Sequence, residues 1–293
     1  MTMSESIIEN PHDPINLEFV MNGPIFKDGL PIPLTIKSLE AIQAIVDRSY
    51  LVLANKQKMS ANDRSMFYLQ SQGIKRGSLI TDLGLIYSAI QPALPIISNL
   101  GPTGVWEYAK AAYDFLKLVY DEKKKGSPVT ITQSGDGSTV NVNTGTQTIT
   151  FNGPVFQIAN SSLQHYEFLS HQLDPTKVTD IKLGTPGNKE IYLDLPDKTL
   201  FDLPSKIGED IHAMQCEIYE FDKYVGTGRV KVFPEQTIPS GVYRFSVVGN
   251  QNIADYIEAM LQKAVKLKFL EETIEHPLRG SVITSLQVTS VKN

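Results

Sequence analysis

The sequence predicts an α+β protein: an N-terminal α/β-mixed domain, a central ribbon of short β-strands and a C-terminal OB-like five-stranded barrel. Three observations carry that expectation. Residues 1–127 hold two long stretches with helical spacing among short strands. Residues 129–152 alternate apolar and polar with a single charge. Residues 211–293 order as three strands, a helix and two strands. A chain of 293 residues is long for one core, so the domains expected are 1–127, 128–210 and 211–293.

The first domain opens with an apolar strand, Ile15 to Met21, stopped by Asn22-Gly23-Pro24. Leu34 to Lys56 reads as a long helix capped by Thr35 or Ser38, with Ile36, Leu39, Ile42, Ile45, Val46 and Leu53 near helical spacing. Met66–Gln70 and Ser78–Leu83 are two expected strands. A helix is expected over Leu85–Ser98, bent or broken at Pro92 and Pro95, and a second over Val105–Tyr120. In the latter, Tyr108, Ala111, Ala112, Phe115 and Val119 share one stripe. Lys123-Lys124-Lys125-Gly126 suits a helix end, where positive charge faces unpaired carbonyls and glycine closes the turn, so the lysines are read as a terminus before a binding patch.

The central segment begins VTITQSGDGSTVNVNTGTQTITFN. Three pieces alternate, carrying Val129 and Ile131, Val140 and Val142, and Ile149 and Phe151, with Gly135-Asp136-Gly137 and Gly145 at the turns. A ribbon this narrow has one thin apolar face and two edges, and these edges lack the lysines and prolines that prevent sheet-to-sheet association. It therefore docks on its own chain or pairs with the same element of other subunits, and those six apolar residues are the candidate oligomerisation set. Beyond it, Ser161–Leu173 is an expected short helix, and Val178–Leu183 and Glu190–Leu195 are expected strands.

In the third domain His212–Glu220, Gly226–Phe233 and Val242–Val248 are strands. Asn252 caps a helix through Leu261 with Ile253, Tyr256, Ile257 and Met260 on one face, and Val265–Phe269 and Val282–Val291 follow as strands. That order is the one of an OB barrel, whose helix lies between the third and fourth strands; another small SH3-like barrel shares a similar order.

Charge narrows the function classes. The 13 acidic and 13 basic residues of 1–127 cancel, as do the 9 and 9 of 211–293, leaving the net −5 in 128–210. No domain attracts phosphate by its net field, which counts against nucleic acid without removing a local patch. The single cysteine, Cys216, excludes an intramolecular disulfide and a thiolate cluster and reads as a buried strand residue. The N-terminus lacks a basic start and an apolar core, so no secretory signal is expected and the cytoplasm is the default. Leu83 to Trp106 holds no charge over 24 positions, but its prolines, glycines and polar residues fit a buried helix pair better than a membrane span.

No constellation nominates an enzyme. His12, His165, His171, His212 and His276 include no pair at i, i+4, and there is no nucleophile elbow, phosphate loop or dinucleotide fingerprint. Neither a metal nor a cofactor is expected. Gly226-Thr227-Gly228 joins two strands as a hairpin, and Glu271-Glu272 point to opposite sides of one strand. The barrel does offer Tyr219, Tyr224, Arg229, Lys231, Tyr243 and Arg244 on its first three strands, a stacking-and-cation set suited to single-stranded nucleic acid, balanced by Glu217, Glu220 and Asp222.

The strand–helix–strand opening, the ribbon QSGDGSTVNVNTGTQTITFNGPVF and the segments YEFDKYVGTGRVKV, GVYRFSVVG and HPLRG resemble a poorly characterised family of bacterial proteins of similar length. The resemblance implies accessory or conflict-related roles, such as antiviral defence, and carries over no catalytic or binding residue. The function expected is a non-enzymatic, self-associating binding or scaffold protein, a homo-oligomer assembled through 129–152, with a protein partner for the barrel. Single-stranded nucleic-acid binding by the barrel is an alternative, and a membrane-acting effector using 83–106 another.

Overall fold

A computed structural model describes residues 14–75, 79–87, 95–134 and 139–292, and the chain divides into two units between Asp202 and Leu203. In the first unit, β1 (Ile15–Asn22) alternates so that Leu17, Phe19 and Met21 are buried on one side. A proline-bearing turn leads to α1 (Ile32–Leu53), then α2 (Ala61–Met66), β2 (Phe67–Lys75), β3 (Leu79–Tyr87) and α3 (Pro95–Lys124). The ribbon strands β4 (Thr130–Ser134), β5 (Thr139–Asn143) and β6 (Thr148–Asn152) follow, then α4 (Gly153–His171), β7 (Asp180–Gly184) and β8 (Ile191–Asp194).

Five of these strands form one antiparallel sheet in the order β2-β3-β1-β7-β8. Its register sets Phe19 beside Leu183 and Thr81, and Met21 beside Ile181, so the alternating residues merge into one apolar face. Helices α1, α3 and α4 pack on one another, and α1 and α3 also pack against the sheet. The two strands expected within 178–195 thus belong to the N-terminal sheet, where β7 completes the second side of β1.

Three local expectations are corrected. Thr35 and Ser38 do not cap α1, because the helix starts earlier, at Ile32, with proline in its first turn, where a missing N–H costs nothing. Both hydroxyls are instead buried within the helix. Leu85 to Tyr87 continue β3 instead of opening a helix, since Leu85 pairs with Ile15 and Leu69; residues 88–94 lie outside the described residues. The uncharged stretch is therefore split between a strand and α3, and no helix among the described residues is long and apolar enough to cross a membrane. The helix expected at 161–173 is longer: α4 begins at Gly153, with Pro154 in its first turn. Within α3 the chain breaks at Gly101, whose φ of 58° favours glycine, and Pro102 restarts it.

The junction of α1 with α2 is held by one buried carboxylate. Ser60 and Asp63 form a reciprocal capping box, and Asp63 also accepts from Tyr50 Oη at 2.8 Å and Lys56 Nζ at 2.5 Å. Burial pushes this carboxyl up, but the hydrogen bonds from Lys56, Ser60 and Tyr50 outweigh it and hold it well below the usual carboxylate range.

The second unit comprises β9 (Ser205–Ile207), β10 (His212–Asp222), β11 (Thr227–Val232), β12 (Gly241–Val247), α5 (Ile253–Ala259), β13 (Val265–His276) and β14 (Gly280–Lys292). The order β10-β11-β12-β14-β13 closes through β13 on β10, with β12 and β14 parallel and α5 between the third and fourth barrel strands. This is the expected OB-like barrel; β9 adds to the outside of β13. Its core includes Ile218, Val230, Phe245, Leu267 and Val288. Tyr256 of α5 is buried there, stacked at 5.2 Å on Phe221, while Asn252 caps the helix as expected. Ile257 and Met260 do not join that face and are exposed; Ala259 is buried in their place. Cys216 is buried in β10, and burial pushes its thiol up to about 12, leaving an unreactive core residue.

Candidate binding surfaces

Two surfaces draw on the residues singled out in the sequence. The first is the outer face of β11 and β12. Val230, Val232 and Phe245 point into the barrel, so their neighbours point out. The register sets Thr227 beside Ser246, Arg229 beside Arg244 and Lys231 beside Val242. Arg229, Lys231 and Arg244 therefore share one face, with Val242 exposed among them. Arg229 pairs with Glu220 of β10 at 3.3 Å, and Glu217 stands opposite Lys231 in the β10 register. Among the described residues, neither Lys231 nor Arg244 makes a side-chain hydrogen bond or ion pair.

A cleft of about 420 Å³ lies on this face, lined in part by Glu220, Asp222, Arg229, Arg244, Phe245 and Ser285. Gly228 also lines it, and a Cβ there would stand 2.3 Å from Glu220 O and 2.6 Å from the Phe245 ring. The glycine in the hairpin segment is thus required by close strand packing, in addition to Gly226, whose φ of 71° makes the turn.

The tyrosines divide. Tyr224, 88% exposed, sits in the β10–β11 loop with Lys223 over its ring, and its N–H donates to Asp222. Tyr219 is exposed at a bulge in β10. Tyr243 stands opposite the buried Val230, packs against the barrel core and donates its hydroxyl to Pro239 O, so it is turned away from Arg244. Sequence reasoning set Glu272 aside with Glu271 as a pair on opposite sides of a strand and missed the network it holds. Its carboxylate accepts from Ser205 Oγ, Ser285 Oγ and Gln287 Nε2 at 2.6–2.8 Å, and these bonds lower its pKa. Ser285, a cleft residue, is thereby held in place. These donors come from β9 and β14, so no local spacing announces them.

The second surface is the ribbon, a three-stranded antiparallel sheet in the order β4-β5-β6. Ile131, Val142 and Ile149 form one cross-strand row, and Val140 and Phe151 another on the same face. Val140 and Val142 are fully buried, and the rings of Phe151 and Phe156 meet Phe115 of α3 edge-on, at 5.2 and 6.0 Å. Val129, just before β4, and Ile131 are half-buried. The apolar face thus packs within its own unit. The opposite face is threonine and asparagine, with Thr150 donating to Asn141 Oδ1. Both outer strands pair on one side only, and among the described residues no backbone hydrogen bond joins β4 or β6 to another element.

Compared with protein-family models, curated proteins and solved structures, the chain has no match.

Proposed function

We propose that this chain is a non-enzymatic binding or scaffold protein that self-associates by main-chain pairing at the edges of the β4–β5–β6 ribbon. The observation that carries this reading is that both outer strands, TITQS and TITFN, are uncharged, free of proline and paired on one side only. Because the apolar face is occupied by α3 and α4, the free backbone groups, not the valines, supply the association. Pairing of an edge with its own copy closes a two-fold dimer, whereas β4 meeting β6 gives a ring or an open filament. The accessory, conflict-related role implied by the bacterial resemblance, and a cytoplasmic location, belong to the same proposal.

Thr132 and Thr148 are exposed edge residues on the polar face, so lysine there blocks edge pairing with little effect on the fold, within about 0.5 kcal/mol. Light scattering is expected to give a defined oligomer for the intact chain and a monomer for Thr132→Lys/Thr148→Lys with an unchanged melting curve. An intact chain that is monomeric at micromolar concentration overturns the reading.

A second reading rests on the barrel: the cleft beside Arg229 and Arg244 binds an extended anion, single-stranded nucleic acid being the example. What supports it is that Lys231 and Arg244 are exposed on one face and, among the described residues, make no ion pair. Arg244→Ala is expected to weaken oligonucleotide binding about tenfold in fluorescence anisotropy, and affinity to fall steeply with salt. Binding that is absent or indifferent to salt removes this reading and leaves the first intact.

A further inference from the structure

Three potential metal donors converge at the end of α4. Glu167 and His171 lie one helical turn apart, and Asp202 reaches the same point from the segment after β8. A donor atom from each lies within 4.8 Å of the others, and His171 Nε2 stands 2.8 Å from Asp202 Oδ1. A search for histidine pairs passes over this set, because its helical pair is Glu–His and its third member is distant in sequence.

The electrostatics of the place ask for a cation. The last turn of a helix presents unpaired carbonyls and the negative end of its dipole, which disfavours carboxylates. Here two carboxylates gather beside that turn, and among the described residues Glu167 makes no ion pair, while Asp202 pairs only with His171. An imidazole proton supplies at most one charge. We propose that Glu167, His171 and Asp202 form a surface site for a divalent transition-metal ion, with zinc the best match to one nitrogen and two oxygen donors. With zinc bonds of about 2.0–2.1 Å the donors settle about 3.3 Å apart, so His171 and Asp202 open from 2.8 Å by about half an ångström while the wider separations close by up to about 1.5 Å, within reach of side chains that are half-exposed or exposed. Three protein donors leave a coordination position to water.

The site is independent of ribbon assembly, so its test stands or falls separately. The full chain, free of any histidine tag, is titrated with Co²⁺ while the visible d–d absorption is followed, and with Zn²⁺ by calorimetry. One equivalent is expected to bind, with affinity lowered at least about tenfold in His171→Ala and likewise in Glu167→Gln/Asp202→Asn. Both variants alter surface side chains, and circular dichroism checks their fold. An intact chain that takes up neither ion, or binding that survives His171→Ala unchanged, overturns the proposal.

Discussion

Replacing Asp63 by asparagine is expected to lower the stability of the N-terminal unit by about 3 kcal/mol, or roughly 6–12 °C in its melting temperature. The carboxylate is 1% exposed and accepts from Tyr50, Lys56 and Ser60. An amide keeps the shape but cannot accept all of these bonds, and the buried Tyr50 hydroxyl and the Lys56 ammonium lose a charged partner. The loss falls at the low end of the range for broken buried ion pairs, because the Lys56 side chain, 35% exposed, can turn to water. The same group sets an acid limit. Its folded pKa lies below its unfolded value, so its stabilisation is complete above about pH 4 and is lost as pH falls from there toward the folded pKa. Urea midpoints measured from neutral pH downward should therefore converge for wild type and variant in acid. A variant with the wild-type midpoint at pH 7 would show that the carboxylate carries no stability. Trp106 is the only tryptophan, is fully buried in α3 and donates to Glu190, so its fluorescence reports this unit alone.

Val142→Lys is expected to cost more, about 4 kcal/mol or above, and to leave little folded N-terminal unit at 37 °C. Val142 is fully buried between Ile131 and Ile149, and a lysine there has no acidic neighbour within the ribbon, whose described residues carry no charge. The comparison with the Thr132→Lys/Thr148→Lys pair is the informative one. One charge on the inner face should shift the Trp106 emission to the red, whereas two on the outer edges should leave it unmoved. Equal melting behaviour for the two proteins would mean that the inner face of the ribbon contributes nothing to the core. For the same reason Phe151 is a poor site for a monomerising substitution: its ring packs on Phe115, and a charge there unfolds the chain before it reports on assembly.

Much of the fold was legible because its signals are local. Alternation marked β1, the ribbon and the barrel strands, and Asn252 marked the start of α5 through its side-chain cap. The barrel order followed from counting elements, and closure of β13 on β10 agrees with it. Reading failed where a residue's state depends on a distant partner. Leu85–Tyr87 have a composition that suits helix or strand, and pairing with β1 and β2 decided for strand. Of the six barrel residues with binding chemistry, the register gathered Arg229, Lys231 and Arg244 on one face and turned Tyr243 inward, an outcome that parity along each strand predicts only once the buried face is known.

By itself the sequence determined most of the strands, the helices that carry an apolar stripe and where charge is missing, since each is set largely by neighbours within a few residues. Only the tertiary structure decided that β7 and β8 extend the N-terminal sheet, that the ribbon spends its valines on its own unit and keeps its edges open, and that Glu167, His171 and Asp202 meet. The reason is physical: a strand's hydrogen-bonding groups are the same whatever the sequence, so the choice of partner falls to packing among parts of the chain that are far apart.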